Sequence, residues 1–548
     1  MAMQISTLSW VSYYAFPLVL LLLAAGAVYQ ANKFTQRFRT PLQDLRGPPS
    51  TSFLWGNIRE VREDDSIVND WAEEYDGTFA TRVLLGGYRL FTLDPRASSH
   101  ILSHTDIYPK PDTLRDVLRS VIGDGLLVVE GDDHKRQRRI MNPSFSPGQI
   151  REVTPIFFDT ARRLCDVFNS IIIKSSDTSD VEIDMYSWFG RATLDVIGQA
   201  GFGYHFNSMY DETNELYCAF RDMIKAFMDS GLLGILLNRF KILRALPLQH
   251  NRTMRRSQAT TYRIGTQLVR AKKEAVQQEM QSRNLEKSKI VGRDLLSSLI
   301  RANMAADLSP AHRMSDDEVL AQISTFIVAG HETTSVGLSW TLLSLAQLPQ
   351  VQDKLRAEVS LVAEEAPSMD ELNALPYLDM VVKESLRYHA PVRGTARVAT
   401  RADSIPLSRP IMDKHGVMHD HVRVQAGDSI GVETVALNHA KEFWGEDARE
   451  FRPERWAEEG VQAANALPGI YAHMMTFIGG PRACIGWRFS VIETKAILFT
   501  LIRSFEFSPV PGKEFGMKDI VVIRPFVKGE ESKGFQLPLR VRKVQRAE

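Results

Sequence analysis

The feature that most constrains this chain is a cysteine in a glycine-rich segment near the carboxyl end. Residues 477–486 read Phe-Ile-Gly-Gly-Pro-Arg-Ala-Cys-Ile-Gly, and three glycines with one proline predict a tight, non-helical loop. From Trp487 to Phe505 the apolar residues recur with helical spacing. Cys484 therefore precedes a helix, where unpaired backbone N–H groups, the positive end of the helix dipole and nearby Arg482 favour a thiolate.

The same segment fits the pattern Phe-x-x-Gly-x-Arg-x-Cys-x-Gly at its five fixed positions, which are Phe477, Gly480, Arg482, Cys484 and Gly486. A structural cysteine beside a glycine turn would explain a bare Cys-x-Gly, but it would not explain five matches within ten residues. The segment resembles the haem-binding signature of the cytochromes P450. This resemblance implies haem b as the cofactor, with Cys484 as the axial ligand of the iron and Arg482 paired with a haem propionate.

A long helical pattern runs from Ser315 to Leu348 and stops at Pro349. Ser315 and Glu318 form a capping-box pattern at its start. At 1.5 Å per residue, a helix of this length measures about 50 Å. We therefore predict a helix that crosses a whole domain.

The middle of this helix is locally weak, because residues 329–334 read Ala-Gly-His-Glu-Thr-Thr. Glycine costs about 1 kcal/mol relative to alanine in a helix, and threonine can bond back to a carbonyl one turn earlier. A simpler interpretation is that Gly330 only permits close helix packing. The segment resembles the family's oxygen-activation motif, which implies that Thr333 hydrogen-bonds the oxygen activated at the haem and that Glu332 helps to relay protons. It also implies that Ala329 and Gly330 leave room over the haem.

Two further segments resemble structural motifs of the family. Residues 383–387 contain Glu-x-x-Arg, whose acid and base share a helix face. Residues 451–456 resemble a Pro-Glu-Arg-Phe segment, with tryptophan in place of the phenylalanine. By itself, the Glu-x-x-Arg pair would be a surface ion pair that contributes little to stability. Together the segments imply a network that braces the cysteine loop, formed by Glu384, Arg387 and Arg455.

A dense basic run, His-Lys-Arg-Gln-Arg-Arg, occupies residues 134–139. It resembles the family's Trp-x-x-x-Arg pattern with His134 in place of tryptophan, which implies that Arg138 and His134 bind a haem propionate. Arg397 stands ten residues after Arg387, where the family commonly places another propionate ligand. The alternative is a solvated helix face or a nucleic-acid patch. Because 66 basic residues balance 66 acidic residues, we expect no nucleic-acid partner.

The first thirty residues predict a membrane anchor. Residues 8–29 carry no charge and include the run LVLLLLAAGAV, and about 20 apolar residues span a bilayer. The first charges, Lys33, Arg37 and Arg39, follow the run, so the positive-inside rule places the rest of the chain in the cytosol. A cleaved signal peptide would need a basic start and a shorter apolar region.

These observations predict three regions. Residues 1–32 would be a lumenal tail and a single-pass transmembrane anchor in the endoplasmic reticulum, in contact with membrane lipid. Residues 33–50 would be a basic and proline-rich linker, and residues 51–548 the catalytic domain. Three widely spaced cysteines do not form a disulfide framework, which fits a catalytic domain in the reducing cytosol.

The motifs occur in the family's order from residue 131 to residue 486. The implied fold is therefore mainly α with a small β lobe, the cytochrome P450 fold, preceded by a transmembrane helix. The implied function is a haem-thiolate monooxygenase that oxidises a lipophilic small molecule, such as a terpenoid or another specialised metabolite. Basic residues on the cysteine side would suit an acidic electron donor, which family analogy identifies as NADPH–cytochrome P450 reductase, with cytochrome b5 as a second donor.

The substrate pocket is predicted from four places, namely residues 105–128, residues 205–245, the long helix at Phe326 and Ala329, and Val392 to Thr395. The second includes the apolar run 231–237, which would touch the membrane or a substrate, or else pack in the core. Two other functions stay open. A haem-thiolate isomerase or dehydratase would not need Glu332 and Thr333, and a non-catalytic membrane haem-binding protein would turn over no substrate.

Overall fold

The computed structural model describes a large part of the chain, which comprises residues 38–64, 66–175, 180–211, 213–229, 246, 248–282, 294–305, 309, 312–457, 459–519 and 521–544. The predicted membrane anchor and the apolar run 231–237 lie outside these residues. None of the helices within them is long and apolar enough to cross a bilayer. The chain divides into two compact units, a smaller one within Met1–Pro109 and Ala396–Val432 and a larger one within Lys110–Thr395 and Glu433–Glu548.

Helices dominate the described chain, as predicted. The smaller unit carries α1 (Ile58–Glu63), α2 (Ile67–Glu74) and α3 (Pro95–Ser103). The larger unit carries α4 (Asp112–Ile122), α5 (Gly131–Met141), α6 (Pro147–Lys174), α7 (Met185–Val196), α8 (Glu215–Asp229), α9 (Gln249–Ser282), α10 (Leu295–Met304), α11 (Asp316–Gln347), α12 (Pro349–Ser360), α13 (Met369–Asn373), α14 (Pro376–Tyr388), α15 (Thr434–Asn438), α16 (Lys441–Trp444) and α17 (Trp487–Ser504).

The strands are short, and they run in chain order as β1 (Thr78–Arg82), β2 (Tyr88–Thr92), β3 (Val181–Asp184), β4 (Gly394–Val398), β5 (Asp403–Met412), β6 (Met418–Val424), β7 (Ser429–Glu433), β8 (Phe505–Pro509), β9 (Phe515–Asp519), β10 (Ile523–Val527) and β11 (Pro538–Lys543). They form sheets of order β1-β2-β7-β4, β5-β6, β9-β10 and β3-β11-β8. In the first sheet β1 pairs antiparallel with β2, and β2 pairs parallel with β7. The predicted small β lobe is confirmed in the smaller unit.

Helix α11 has the bounds that the sequence predicts. The Ser315 side chain accepts from the N–H of Glu318, and the Glu318 side chain accepts from the N–H of Ser315, so the capping box forms. Leu348 ends the helix just before Pro349. Its side chains are buried from Ile323 to Ile327 and again from Thr334 to Ala346, so α11 passes through the core of the larger unit.

Helix α17 is also largely buried in the larger unit. Phe489 meets Phe157 of α6 edge-on with ring centroids 4.9 Å apart, and Phe499 meets Phe158 at 5.9 Å. Such edge-to-face pairs add about 0.5–1.5 kcal/mol each to the burial of the rings. These contacts fix α17 in the core and so fix the loop that precedes it.

Candidate functional site

The loop before α17 is tight, as its glycines predict. The N–H of Cys484 donates to the carbonyl oxygen of Phe477 at 3.0 Å, which closes the loop. A Cβ at Gly479 would lie 2.1 Å from the carbonyl oxygen of Pro468, and Gly480 has a φ of +70°. Ile478 also lies in the left-handed region, at φ 45°, which costs an isoleucine energy. The surrounding structure therefore imposes one conformation on the loop.

Cys484 presents an exposed side chain at the start of α17 and forms no disulfide. Protein atoms nevertheless surround the thiol closely, and this burial raises its pKa. The N–H of Gly486 and the charge of Arg138 act in the opposite direction and lower the pKa. Burial is the largest of these effects, so the pKa of Cys484 stays above its ordinary value, and the Gly486 N–H and Arg138 reduce the rise. The role of Cys484 as an axial ligand stays a prediction.

Arg138 of α5 lies against the cysteine loop. Its Nη1 donates a 2.5 Å hydrogen bond to the carbonyl oxygen of Ala483. His134, one turn earlier, is buried, and burial together with the charges of Lys110 and Arg138 lowers its pKa to about 4. His134 is therefore a neutral imidazole at neutral pH.

Arg482 has a partner that the sequence did not suggest. Its side chain is 5% exposed and forms an ion pair with Glu130, and its Nη1 donates to the carbonyl oxygen of Val129 at 2.8 Å. Burial, with a smaller effect of Arg115, lowers the pKa of Arg482 to about 10. Glu130 also accepts from Lys110 at 3.5 Å. The predicted propionate ligand therefore shares its charge with a protein carboxylate.

The middle of α11 interrupts its burial. Ala329 is exposed although the residues on either side of this segment are buried. The Thr333 hydroxyl donates to the carbonyl oxygen of Ala329 at 2.7 Å. A Cβ at Gly330 would meet Ile197 at 3.1 Å, so Gly330 permits close packing against the π-helical segment Ile197–Phe202. The packing interpretation of Gly330 is confirmed, and the room that Ala329 and Gly330 leave over the haem stays a prediction.

Two contacts bring the cysteine loop and α11 together. The hydroxyls of Thr334 and Ser490 lie 3.1 Å apart, which joins α11 to the first turn of α17. Phe145 lies 3.7 Å from the position of a Cβ on Gly486 and meets the Phe326 ring edge-on at 5.4 Å. The exposed segment of α11 and Cys484 therefore belong to one site.

Phe326, predicted to line the pocket, is a core residue. It is buried between Phe145 and Phe202, whose ring stacks on it at 6.2 Å. The predicted pocket residue Val392 is 37% exposed, and Thr395 is partly buried at the start of β4. Arg397 lies in the smaller unit, where it is buried and where burial lowers its pKa to about 10.

Glu384, Arg387 and Arg455 contact one another in the larger unit. Arg387 donates to both oxygens of Glu384 at 2.7 and 2.9 Å, and Arg455 Nε donates to Oε1 at 2.9 Å. Trp456, which replaces the phenylalanine of the motif, adds a donor, because its Nε1 reaches Glu384 Oε2 at 3.0 Å. All three charged residues are buried.

This network reaches the cysteine loop through Asn438. Arg387 Nη1 donates to the carbonyl oxygen of Asn438 at 2.8 Å. The Asn438 side chain accepts from the N–H of Met475 at 2.7 Å and donates to Thr476 at 2.9 Å. Met475 and Thr476 directly precede Phe477, whose carbonyl receives the N–H of Cys484. Hydrogen bonds therefore connect the buried charges to the loop.

The residues present fit a haem. A cysteine thiolate is a soft ligand suited to iron, and the helix that follows its loop contacts α11 next to Thr333. Four cations, Lys110, Arg115, Arg138 and Arg482, outnumber the two described acids that pair with them, which are Glu130 with Lys110 and Arg482 and Asp112 with Arg115. This positive excess suits a porphyrin that carries two propionates.

Comparisons with known proteins agree with this geometry. A family model described as cytochrome P450 matches residues 46–528. Cytochrome P450 monooxygenase 128 of Postia placenta is 44% identical over 530 residues, which cover 95% of this chain and 96% of that protein. Cytochrome P450 monooxygenase 205 of the same fungus is 44% identical over 94% of this chain and 96% of its own length. Cytochrome P450 monooxygenase claQ of Ampulloclitocybe clavipes is 36% identical over 91% and 93%.

Proposed function

The chain belongs to the cytochrome P450 family, and on that premise we propose that it oxidises a lipophilic specialised metabolite of the terpenoid type at the cytosolic face of the endoplasmic reticulum. Members of this family are haem b-dependent monooxygenases. When bound, the haem supplies dioxygen activation and oxidation of a C–H bond or an alkene. The observation that carries the proposal is the contact of Thr334, next to Thr333, with Ser490 in the first turn of α17, six residues after Cys484.

Cys484 holds the cofactor in this proposal. The closed loop fixes the direction of its sulfur, and the Gly486 N–H and Arg138 stabilise the thiolate. Arg482, Arg138 and His134 would hold the propionates. The network of Glu384, Arg387 and Arg455 keeps the loop in place, which limits loss of the cofactor.

Thr333 and Glu332 control protons. The Thr333 hydroxyl now donates to Ala329, and a rotation about its side chain would direct it to the exposed face of α11. The carboxyl group of the preceding residue, Glu332, takes up protons from solvent and passes them toward Thr333. Because proton transfer by a positioned group contributes about 10²–10⁴-fold to rate, these residues would decide whether oxygen is used productively.

The exposed Ala329 and Val392 support an apolar substrate. Neither side chain carries a hydrogen-bonding group, so a polar substrate would lose its hydration without compensation there. The apolar anchor predicted in residues 8–29 would place this site at a membrane that supplies lipophilic molecules.

The electron donor is proposed to be NADPH–cytochrome P450 reductase, with cytochrome b5 as a second donor. The family generally depends on such partners. Arg139 and Arg488 are exposed, the first on α5 near Arg138 and the second in the first turn of α17. Cations at these places would attract an acidic donor surface to the cysteine side.

The test is reconstitution of the full chain with haem, reductase and NADPH, using isotopically labelled dioxygen and a panel of terpenoids beside polar sugars. We expect a labelled oxygen atom in a terpenoid product. Thr333→Ala should keep NADPH oxidation but lower product per NADPH at least about tenfold. The matched control is Thr500→Ala, because Thr500 also bonds back along its helix, to Ala496 at 2.9 Å.

Other outcomes identify other functions. Conversion of a substrate without dioxygen or NADPH would indicate an isomerase or dehydratase. A haem spectrum without turnover of any compound would indicate a non-catalytic haem-binding protein. Product from sugars but not from terpenoids would overturn the proposed substrate class alone.

A further inference from the structure

The carboxylate of Glu332 is held by a residue 192 positions later in the chain. Arg524 of β10 donates from Nε to Glu332 Oε1 at 2.7 Å, and its Nη2 donates to the same oxygen. The Arg524 side chain is 4% exposed and that of Glu332 is 15% exposed. A largely buried ion pair is weakly screened by salt, and the partial exposure of Glu332 leaves its carboxylate within reach of solvent.

Aromatic side chains enclose this pair. The Arg524 guanidinium lies 5.3 Å from the centre of the Phe535 ring, and Tyr186 of α7 meets the same ring at 6.3 Å. Burial raises the pKa of Tyr186, the Glu332 charge raises it further and Arg524 lowers it. The phenol therefore lies within electrostatic reach of both members of the pair, and α7, α11 and β10 converge on Glu332.

Arg524 differs from the structural arginines of this protein. Arg387 and Arg455 each direct hydrogen bonds from all their nitrogen atoms to carboxylate and carbonyl oxygens. Arg524 donates to one carboxylate oxygen and interacts with the Tyr186 phenol, but it donates to no backbone carbonyl in the described chain, and its buried Nη1 lacks a hydrogen-bond partner there. Buried hydrogen-bond donors of structural arginines normally all have partners. The contacts of Arg524 therefore serve to hold the Glu332 carboxylate rather than to connect segments of the backbone.

We propose that Arg524 is a positioning residue for oxygen activation, which acts by fixing the direction from which the Glu332 carboxylate handles protons beside Thr333. The inference rests on the proposed relay role of Glu332. In each transfer the carboxylate gains one proton from solvent and gives one up toward Thr333, and Arg524 restores the same starting geometry. Without Arg524, the carboxylate loses two donors and the relay loses its direction.

The experiment compares Arg524→Gln and Arg524→Lys with wild type in the reconstituted full-length holoenzyme. Arg524→Gln should lower product per NADPH at least about fivefold, raise hydrogen peroxide release and enlarge the solvent deuterium isotope effect on NADPH oxidation. Arg524→Lys keeps the positive charge and should retain at least about half of the wild-type product per NADPH. The control is Arg356→Gln, because Arg356 of α12 is also largely buried and pairs with Asp353 at 2.6 Å.

A double-mutant cycle with Glu332→Gln separates positioning from general damage. In the Glu332→Gln background, Arg524→Gln should change the product formed per NADPH by less than about twofold. In urea unfolding, the effect of the double substitution on the unfolding equilibrium constant should differ by at least about fivefold from the product of the two single effects. The inference is overturned if Arg524→Gln lowers product per NADPH equally in both backgrounds, or if Arg524→Gln alone keeps the wild-type product per NADPH. It is also overturned if the two substitutions change the unfolding free energy additively. If wild type incorporates no oxygen, the proposed function fails instead, and the unfolding cycle still tests the pair.

Discussion

Arg138 donates a 2.5 Å hydrogen bond to the carbonyl oxygen of Ala483, the residue before Cys484. The bond joins α5 to the cysteine loop and places a cation beside the sulfur, where its charge lowers the pKa of the thiol. One side chain therefore contributes both to the shape of the loop and to its electrostatics. Arg138, which we predict to bind a haem propionate, is therefore also hydrogen-bonded to the protein backbone.

Replacement of Arg138 should weaken both effects. Arg138→Leu leaves the Ala483 carbonyl without this donor, so we expect a loss of about 1–3 kcal/mol in unfolding free energy and weaker haem retention. Urea unfolding and haem transfer to apomyoglobin measure the two quantities. The control is Arg139→Leu, since Arg139 is the exposed next residue. Equal effects of both substitutions would contradict a specific role of the Ala483 bond.

Gly479 should tolerate no side chain. A Cβ there would lie 2.1 Å from the Pro468 carbonyl oxygen, so Gly479→Ala must displace backbone and should cost about 1–3 kcal/mol, with loss of haem. In the control, Gly190→Ala on α7, a Cβ meets nothing within 4 Å, and we expect stabilisation by about 0.5–1 kcal/mol. Thermal unfolding of the holoprotein compares the two. A neutral Gly479→Ala would show that the loop is not closely confined.

Trp456 should stabilise the buried charges more than the phenylalanine of the motif would. Trp456→Phe removes the 3.0 Å bond from Nε1 to Glu384, and a hydrogen bond to a charged group contributes about 1.5–3 kcal/mol. Because Trp456 is partly exposed, we expect the lower end of that range in urea unfolding. Trp188→Phe is the control, because Trp188 packs on Phe168 without a described Nε1 bond. The prediction fails if both variants lose the same stability.

His389 should make the protein less stable in mild acid. Burial, and then the charges of His439 and Arg387, lower its pKa to about 3, whereas an unfolded histidine titrates near 6.5. The unfolded state alone therefore takes up this proton between about pH 6.5 and about pH 3, so the contribution is complete above pH 6.5 and falls by up to about 1.4 kcal/mol per pH unit below it.

His389→Gln should remove this part of the pH dependence. Urea unfolding at about pH 5 and about pH 7.5 should show a smaller difference for the variant than for wild type. His104→Gln, at an exposed position, is the control and should keep the wild-type difference. An unchanged difference in His389→Gln would contradict the assignment.

Local patterns explain which parts were predictable from the sequence. The capping box of Ser315 and Glu318 set the start of α11, and glycines next to Cys484 set the loop, because both depend on neighbours in the chain. The contacts of Glu384 with Arg387 and Arg455 followed from family motifs. The π-helical segment Ile197–Phe202, which packs on Gly330, has no such signature.

Long-range partners could not be predicted in this way. Arg524 follows Glu332 by 192 positions, and Glu130 precedes Arg482 by 352. No sequence periodicity connects residues so far apart. A single charged residue in a strand or before a helix has many possible partners of opposite charge elsewhere in the chain. Phe326 was assigned to the pocket from its place on α11, but helical spacing cannot tell an aromatic side chain that faces Phe145 from one that faces a substrate.

The most direct measurement is the absorption spectrum of the reduced, carbon monoxide-bound holoprotein, for wild type, Cys484→His and the control Cys218→Ser. We predict the red-shifted thiolate band for wild type and Cys218→Ser. Cys484→His should retain haem and show the unshifted band typical of a histidine ligand. A thiolate band that persists in Cys484→His, or folded wild type that binds no haem, would contradict the assignment of Cys484 as the axial ligand.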